Sequence, residues 1–137
     1  MAASNGIPRK RVQQVLEEVG LAADANRRVG TYSLGMGQRL GLATALLGKP
    51  ERLVLDEPVN GLDPQGVRWI RRLLRAHADA GGTVLLSSHL IGELAEIVDD
   101  VVIINGGRIK AWGGVADVMA GHPSLEEAFF AHVEARA

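Results

Sequence analysis

Apolar residues recur at helical spacing over Pro8 to Gly20, where Val12, Val15, Leu16 and Val19 share one face, so a helix is expected there. A polar stretch from Ala22 to Gly30 reads as a loop. Ser33 opens a second predicted helix that runs to about Leu47 and is closed by Gly48 and Pro50. The pattern then changes. Leu53-Val-Leu55 is a short continuous apolar run ending in Asp56-Glu57-Pro58, which predicts a strand covered on both faces with its polar end at a sheet rim. Asn60-Gly61 turns the chain, and Asp63-Pro64 supplies an N-cap and first-turn proline for a third helix that Gly81 ends. Val67, Ile70, Leu73 and Leu74 form its buried stripe.

Thr83-Val-Leu-Leu86 is expected as the next buried strand, finishing at Ser87-Ser88-His89. A helix with Leu90, Leu94, Ile97 and Val98 on one side should follow. Val101 to Ile104 reads as a strand that turns at Asn105-Gly106-Gly107 into Arg108 to Trp112, a hairpin. Ser124 with Glu127 predicts a capping box for a last helix carrying Leu125, Phe129 and Val133. The alternation of strand and helix argues for a parallel α/β sheet. No internal repeat or low-complexity segment interrupts it.

Bulk properties narrow the classes. A chain of 137 residues can bury one continuous core, and 47% hydrophobic with 23% charged residues excludes a disordered tail. Fifteen basic against sixteen acidic residues give no basic excess of the kind a nucleic-acid surface shows. Cysteine is absent, which removes disulfides and thiolate metal sites. No apolar run approaches the roughly 20 residues of a membrane span, so any link to a membrane is expected to go through a partner.

Ligands of open α/β sheets sit beyond the carboxyl ends of the strands, where this chain places Asp56-Glu57 on one strand and His89 on another. An acidic pair after a strand is more often a solvated loop. Its neighbours, Gly61-Leu-Asp-Pro64 and the later histidine, argue for chemistry instead. Gly35, Gly37 and Gly41 each cost a helix interior about 1 kcal/mol relative to alanine. Either tight helix packing or close approach of another molecule would explain them. Ser33 reads as a helix cap, and a capped, glycine-containing helix start is equally a phosphate site. His77, His122 and His132 lack partners at ligand spacing and read as surface residues.

Together these segments resemble the ABC ATPases. Tyr32-Ser-Leu-Gly-Met36 with Gln38-Arg39 is similar to their signature motif, and Leu53-Val-Leu-Asp-Glu-Pro58 to their Walker B segment. Gly61-Leu-Asp-Pro64 resembles the D-loop and Ser87-Ser-His89 the switch histidine. The likeness continues to Ser124-Leu-Glu-Glu-Ala-Phe129. It implies a partial P-loop NTPase core, a parallel sheet with flanking helices, together with part of a helical subdomain and a C-terminal hairpin and helix. The expected division is a helical subdomain remnant over 1–48, a sheet core over 49–113 and C-terminal helices over 114–137. By position, Asp56 would hold Mg2+, Glu57 would act as general base and His89 would contact the γ-phosphate. Ser33, Gly35, Gly37 and Gln38 would grip ATP bound by an opposite subunit, and Asp63 would act across that dimer interface.

Three positions depart from the commonest pattern. Leu34 stands at a usual glycine, Met36 at a usual glutamine and Val59 at a frequent threonine or serine. Similar variants occur in antibiotic and multidrug exporters. The resemblance therefore implies the nucleotide-binding subunit of an exporter, cytoplasmic and peripheral to the inner face of the membrane through a permease subunit. The alternative is a non-catalytic remnant or accessory module that lends its signature motif to a complete subunit. Chromosome and repair ATPases of the ABC type would show coiled-coil heptads, which are absent, and the spacing to His89 does not suit a helicase. No Walker A loop, Gly-x-x-x-x-Gly-Lys-[Ser/Thr], occurs, since Gly48-Lys49 ends a helix before Pro50. The resemblance places that loop's strand between 83–87 and 101–104, and the chain alone is expected to bind ATP poorly.

Overall fold

The computed structural model describes residues 5–134, which divide into two compact units meeting in sequence between Ser87 and Ser88. The first unit opens with α1 (Arg9–Glu18), begun by Pro8 in an extended conformation. The apolar face foreseen for this helix is buried at Val15 and Val19, and Leu21 follows them into the core. Two short 3-10 turns, Ala22–Asp24 and Val29–Thr31, occupy the polar stretch. Ser33 caps α2 (Leu34–Leu46) by accepting the amide of Met36 at 3.2 Å. That helix buries Leu42, Ala43 and Leu46.

Guanidinium groups bind these helices at their ends, where carbonyls lack intrahelical partners. Arg11 donates to the carbonyl oxygens of Leu46 at 2.8 Å and Leu47 at 3.4 Å, closing α2. Arg39 donates to the Val19 carbonyl at 3.1 Å, closing α1. The left-handed residue after α2 is Lys49, with φ 51°, and not the neighbouring Gly48.

β1 (Arg52–Asp56) pairs in parallel with β2 (Thr83–Ser87) through the crossover helix α3 (Pro64–Asp79). Asp63 caps α3 by accepting the Gly66 amide at 2.7 Å, and Pro64 follows at the first helical position. Ile70 and Leu74 of its stripe are 2% exposed. The expectation of strands covered on both faces is corrected here. Leu53 is buried, but Val54 is 76% exposed and Leu85 64% exposed, so β1 and β2 are covered on one face only. The apolar run reports two apolar faces; the described residues cover one.

In the second unit α4 is a single turn, Ile91–Leu94, rather than the longer helix expected from Leu90 to Val98. The Leu94 carbonyl accepts both Ile97 and Val98 amides, at 2.8 and 3.1 Å, and the chain turns away there. β3 (Asp100–Asn105) and β4 (Arg108–Gly114) form the expected hairpin, turning at Gly106-Gly107. The parallel pattern thus stops at two strands: β3 pairs antiparallel with β4 in a separate sheet. α5 (Val115–Val118) and α6 (Leu125–Glu134) complete the unit around Ile103, Val118 and Leu125, with Phe129 and Val133 packed against them. The Ser124 hydroxyl accepts the Glu127 amide at 3.2 Å, which is the capping bond foreseen for α6. His77, His122 and His132 are half-buried rather than fully at the surface, and the latter two rings lie 6.4 Å apart.

Candidate active site

The carboxyl end of β1 sets the site. The register places Asp56 opposite Ser87, and the Ser87 hydroxyl donates to the Asp56 carboxylate at 2.5 Å. The same hydroxyl oxygen accepts the Glu57 amide at 3.1 Å, and the Ser87 carbonyl lies 3.2 Å from that amide. Ser87 therefore fixes both acidic residues from the neighbouring strand.

Glu57 has φ 48°, in the left-handed region that costs an L-residue roughly 1–2 kcal/mol. It is held there from both sides, through its amide by Ser87 and through its carbonyl by the Asn60 amide at 3.1 Å. Strain of this kind persists only where surrounding bonds over-determine it, and it gathers at functional sites. The bend turns the chain out of β1. It leaves Asp56 exposed and Glu57 half-buried, with Oε2 withdrawn from solvent.

Beyond Glu57 the chain winds through buried Pro58 and Val59 into a turn closed by the Leu62 amide on the Val59 carbonyl at 3.2 Å. Gly61, at φ 74°, lets this turn meet the start of α2: a Cβ there would stand 2.3 Å from Cδ2 of Leu34. One residue on, Leu62 lies 3.7 Å from where a Cβ of Gly35 would be. The Gln38 side-chain amide donates to the Asn60 carbonyl at 3.3 Å. So Leu34, Gly35 and Gln38 at the start of α2 meet Gly61, Leu62 and Asn60 of the turn, with the cap Ser33 next to one side of this contact in sequence and Asp63 next to the other.

Gly37 and Gly41 have nothing within 4 Å of a built Cβ among the described residues. Packing inside this unit does not account for them. His89 is exposed two positions beyond β2, in the second unit, where the Ser88 hydroxyl accepts the Leu90 amide at 3.1 Å. Sequence reasoning named Ser87 only as part of a motif and missed its clamp. The signal was the strand register, which pairs the last residue of β1 with the last of β2.

Ser87→Ala should remove one bond from each acidic residue and destabilise the first unit by about 1–2 kcal/mol. Urea titration of the isolated chain measures this, and an unchanged midpoint would mean that the hydroxyl holds neither group.

A strained acidic residue after a parallel strand, with a serine-capped helix beside it, stands at the strand end where α/β folds bind their ligands. The family described as ABC transporter matches residues 2–60. The chain is 47% identical over 111 residues to the ABC transporter ATP-binding protein YcbN of Bacillus subtilis, covering 80% of this chain and 36% of that protein. It is 48% identical over 106 residues to the bacitracin transport ATP-binding protein BcrA of Bacillus licheniformis, covering 76% and 35%. The structure of cbiO1 from Clostridium perfringens, part of the ABC transporter complex cbiONQ, superposes with a TM-score of 0.71 at 32% identity, covering 82% of this chain and 45% of that one. The chain belongs to the ATP-binding subunit family of ABC transporters. It spans about a third of the length of these two sequence relatives.

Proposed function

We infer that this chain forms the hydrolytic rim and signature surface of an exporter's ATPase subunit. The observation that carries the reading is the Ser87 clamp, which presents two adjacent carboxylates at the end of β1. Glu57, half-buried and fixed by its backbone, is suited to take a proton from an attacking water, a task that needs a carboxylate within hydrogen-bond reach. Asp56 supplies the exposed oxygen donor that a hard cation prefers, and Mg2+ takes one or two such carboxylates together with substrate phosphates. The donor set fits. Bound there, Mg2+ would neutralise charge on the β- and γ-phosphates.

The surface of Ser33, Gly35, Gly37 and Gln38 offers a helix start, a hydroxyl and no side-chain bulk at two helical positions. This favours close approach by the ATP of a second subunit, with Asp63 beside it. His89 is assigned to the γ-phosphate on sequence position alone. Bacitracin transport by BcrA supports export, and the cbiONQ complex supports a permease partner, which would hold this subunit at the inner face of the membrane. These 137 residues contain no Walker A sequence, so activity requires that loop from outside them.

The test is complementation. Mixed with a separately produced segment that carries a Walker A loop from a relative, this chain should hydrolyse ATP, and neither piece should do so alone. ATP-dependent association without hydrolysis would support the accessory reading, in which only the signature surface functions. Neither association nor hydrolysis would remove both.

A further inference from the structure

Opposite in chemistry to the acidic rim, the first unit carries a groove of about 600 Å³ lined by Arg39, Gln65, Arg68, Trp69, Arg71 and Arg72. Four guanidinium groups and no carboxylate line it among the described residues. Arg68, Arg71 and Arg72 stand at helical neighbour spacing on α3, where like charges repel. The acidic residue of that helix, Asp79, is bonded to Arg75 at 3.1 Å, outside the groove. Glu18, near the other edge of Trp69, is committed to Arg11 at 3.0 Å. Arg68 and Arg72 are exposed and make no hydrogen bond or ion pair among the described residues.

The wall between them is rigid. Arg39 stacks on Trp69 at 4.2 Å from the ring centroid while donating to the Val19 carbonyl, and the Trp69 indole donates to the Glu18 carbonyl at 3.4 Å. Gly20, at φ 69°, leaves room for this arrangement, since a Cβ there would stand 3.0 Å from the Arg39 guanidinium. Three helices thus fix one cation and one indole, beside which two further guanidiniums stand in solvent. Planar guanidinium forks match phosphate oxygens in pairs and bind them more strongly than a single neutral donor would.

We propose that this groove is an anion site for a ligand bearing more than one phosphate charge, separate from the Asp56–Glu57 rim. The shared chemistry is a phosphate group, delivered either as a soluble polyphosphate or on an anionic lipid headgroup. Arg68 and Arg72 hold it from α3, and Trp69 lines the floor.

The chain has two tryptophans, so Trp69 becomes the sole reporter in a Trp112→Phe background. Tripolyphosphate without metal should change Trp69 emission saturably, with half-saturation at about 1 mM or below. The response should weaken as salt rises, and Ser33→Ala should leave it unchanged. Arg68→Gln with Arg72→Gln should weaken binding about tenfold or more, while the paired lysine variants retain most of it. Co-sedimentation with vesicles of phosphatidic acid, whose phosphomonoester carries up to two charges, but not with phosphatidylcholine vesicles, tests the lipid source. Tighter binding to either probe supports the site and assigns the source. An unsaturated response with both probes overturns it, as does equal affinity for hexaglutamate or glutamine variants that bind like the parent.

Discussion

Replacing Glu57 with glutamine in the complete subunit will lower ATP hydrolysis by about 100-fold or more while ATP binding survives. The amide keeps the shape of the side chain but cannot accept a proton from water. The backbone at φ 48°, its two bonds to Ser87 and its bond from Asn60 do not involve the carboxylate and should remain. The variant should therefore melt as the parent does, and ATP-bound dimer should accumulate. Steady-state hydrolysis and nucleotide-dependent sedimentation together give the answer. A rate within about threefold of the parent would show that another group takes the proton.

Gly61→Ala should destabilise the first unit by about 2–4 kcal/mol, combining left-handed backbone strain with overpacking. The methyl group would enter the space of Leu34, whose Cδ2 lies 2.3 Å from its position. The two causes separate in a double-mutant cycle. Leu34→Ala alone should cost little, because that side chain is 68% exposed. Added to Gly61→Ala it should recover the overpacking part, about 1–3 kcal/mol, and leave the backbone part. Strict additivity of the two substitutions in chemical denaturation would mean that Leu34 does not rest on the turn. The cycle also bears on the proposed signature surface, since this contact joins α2 to the turn that leads into Asp63.

Local chemistry was the legible part of this fold. Ser33, Asp63-Pro64 and Ser124 cap the helices that their sequence contexts announced, and Gly106-Gly107 turns the hairpin. These features depend on residues within a few positions of one another, so sequence order carries them. What depended on distant neighbours was not legible. Leu53-Val-Leu55 shows that both faces are apolar but cannot show how many are covered, and Val54 is left open. The helix after His89 had the right spacing, yet the chain turns at Leu94, whose carbonyl takes two amides. Ser87 needed the register between β1 and β2 before its grip on Asp56 could be seen. Gly48 closes α2 as its sequence position suggests, but the left-handed residue is Lys49, whose amide reaches the Leu46 carbonyl.

The left-handed backbone at Glu57 sets folding and chemistry against each other at one position. Glycine would adopt φ 48° without steric conflict and would make this bend easier to form. It would also remove the one carboxylate that the bend half-buries. A search for thermostable variants would therefore be drawn toward removing the proposed general base, and screens on heat resistance alone would select against that role.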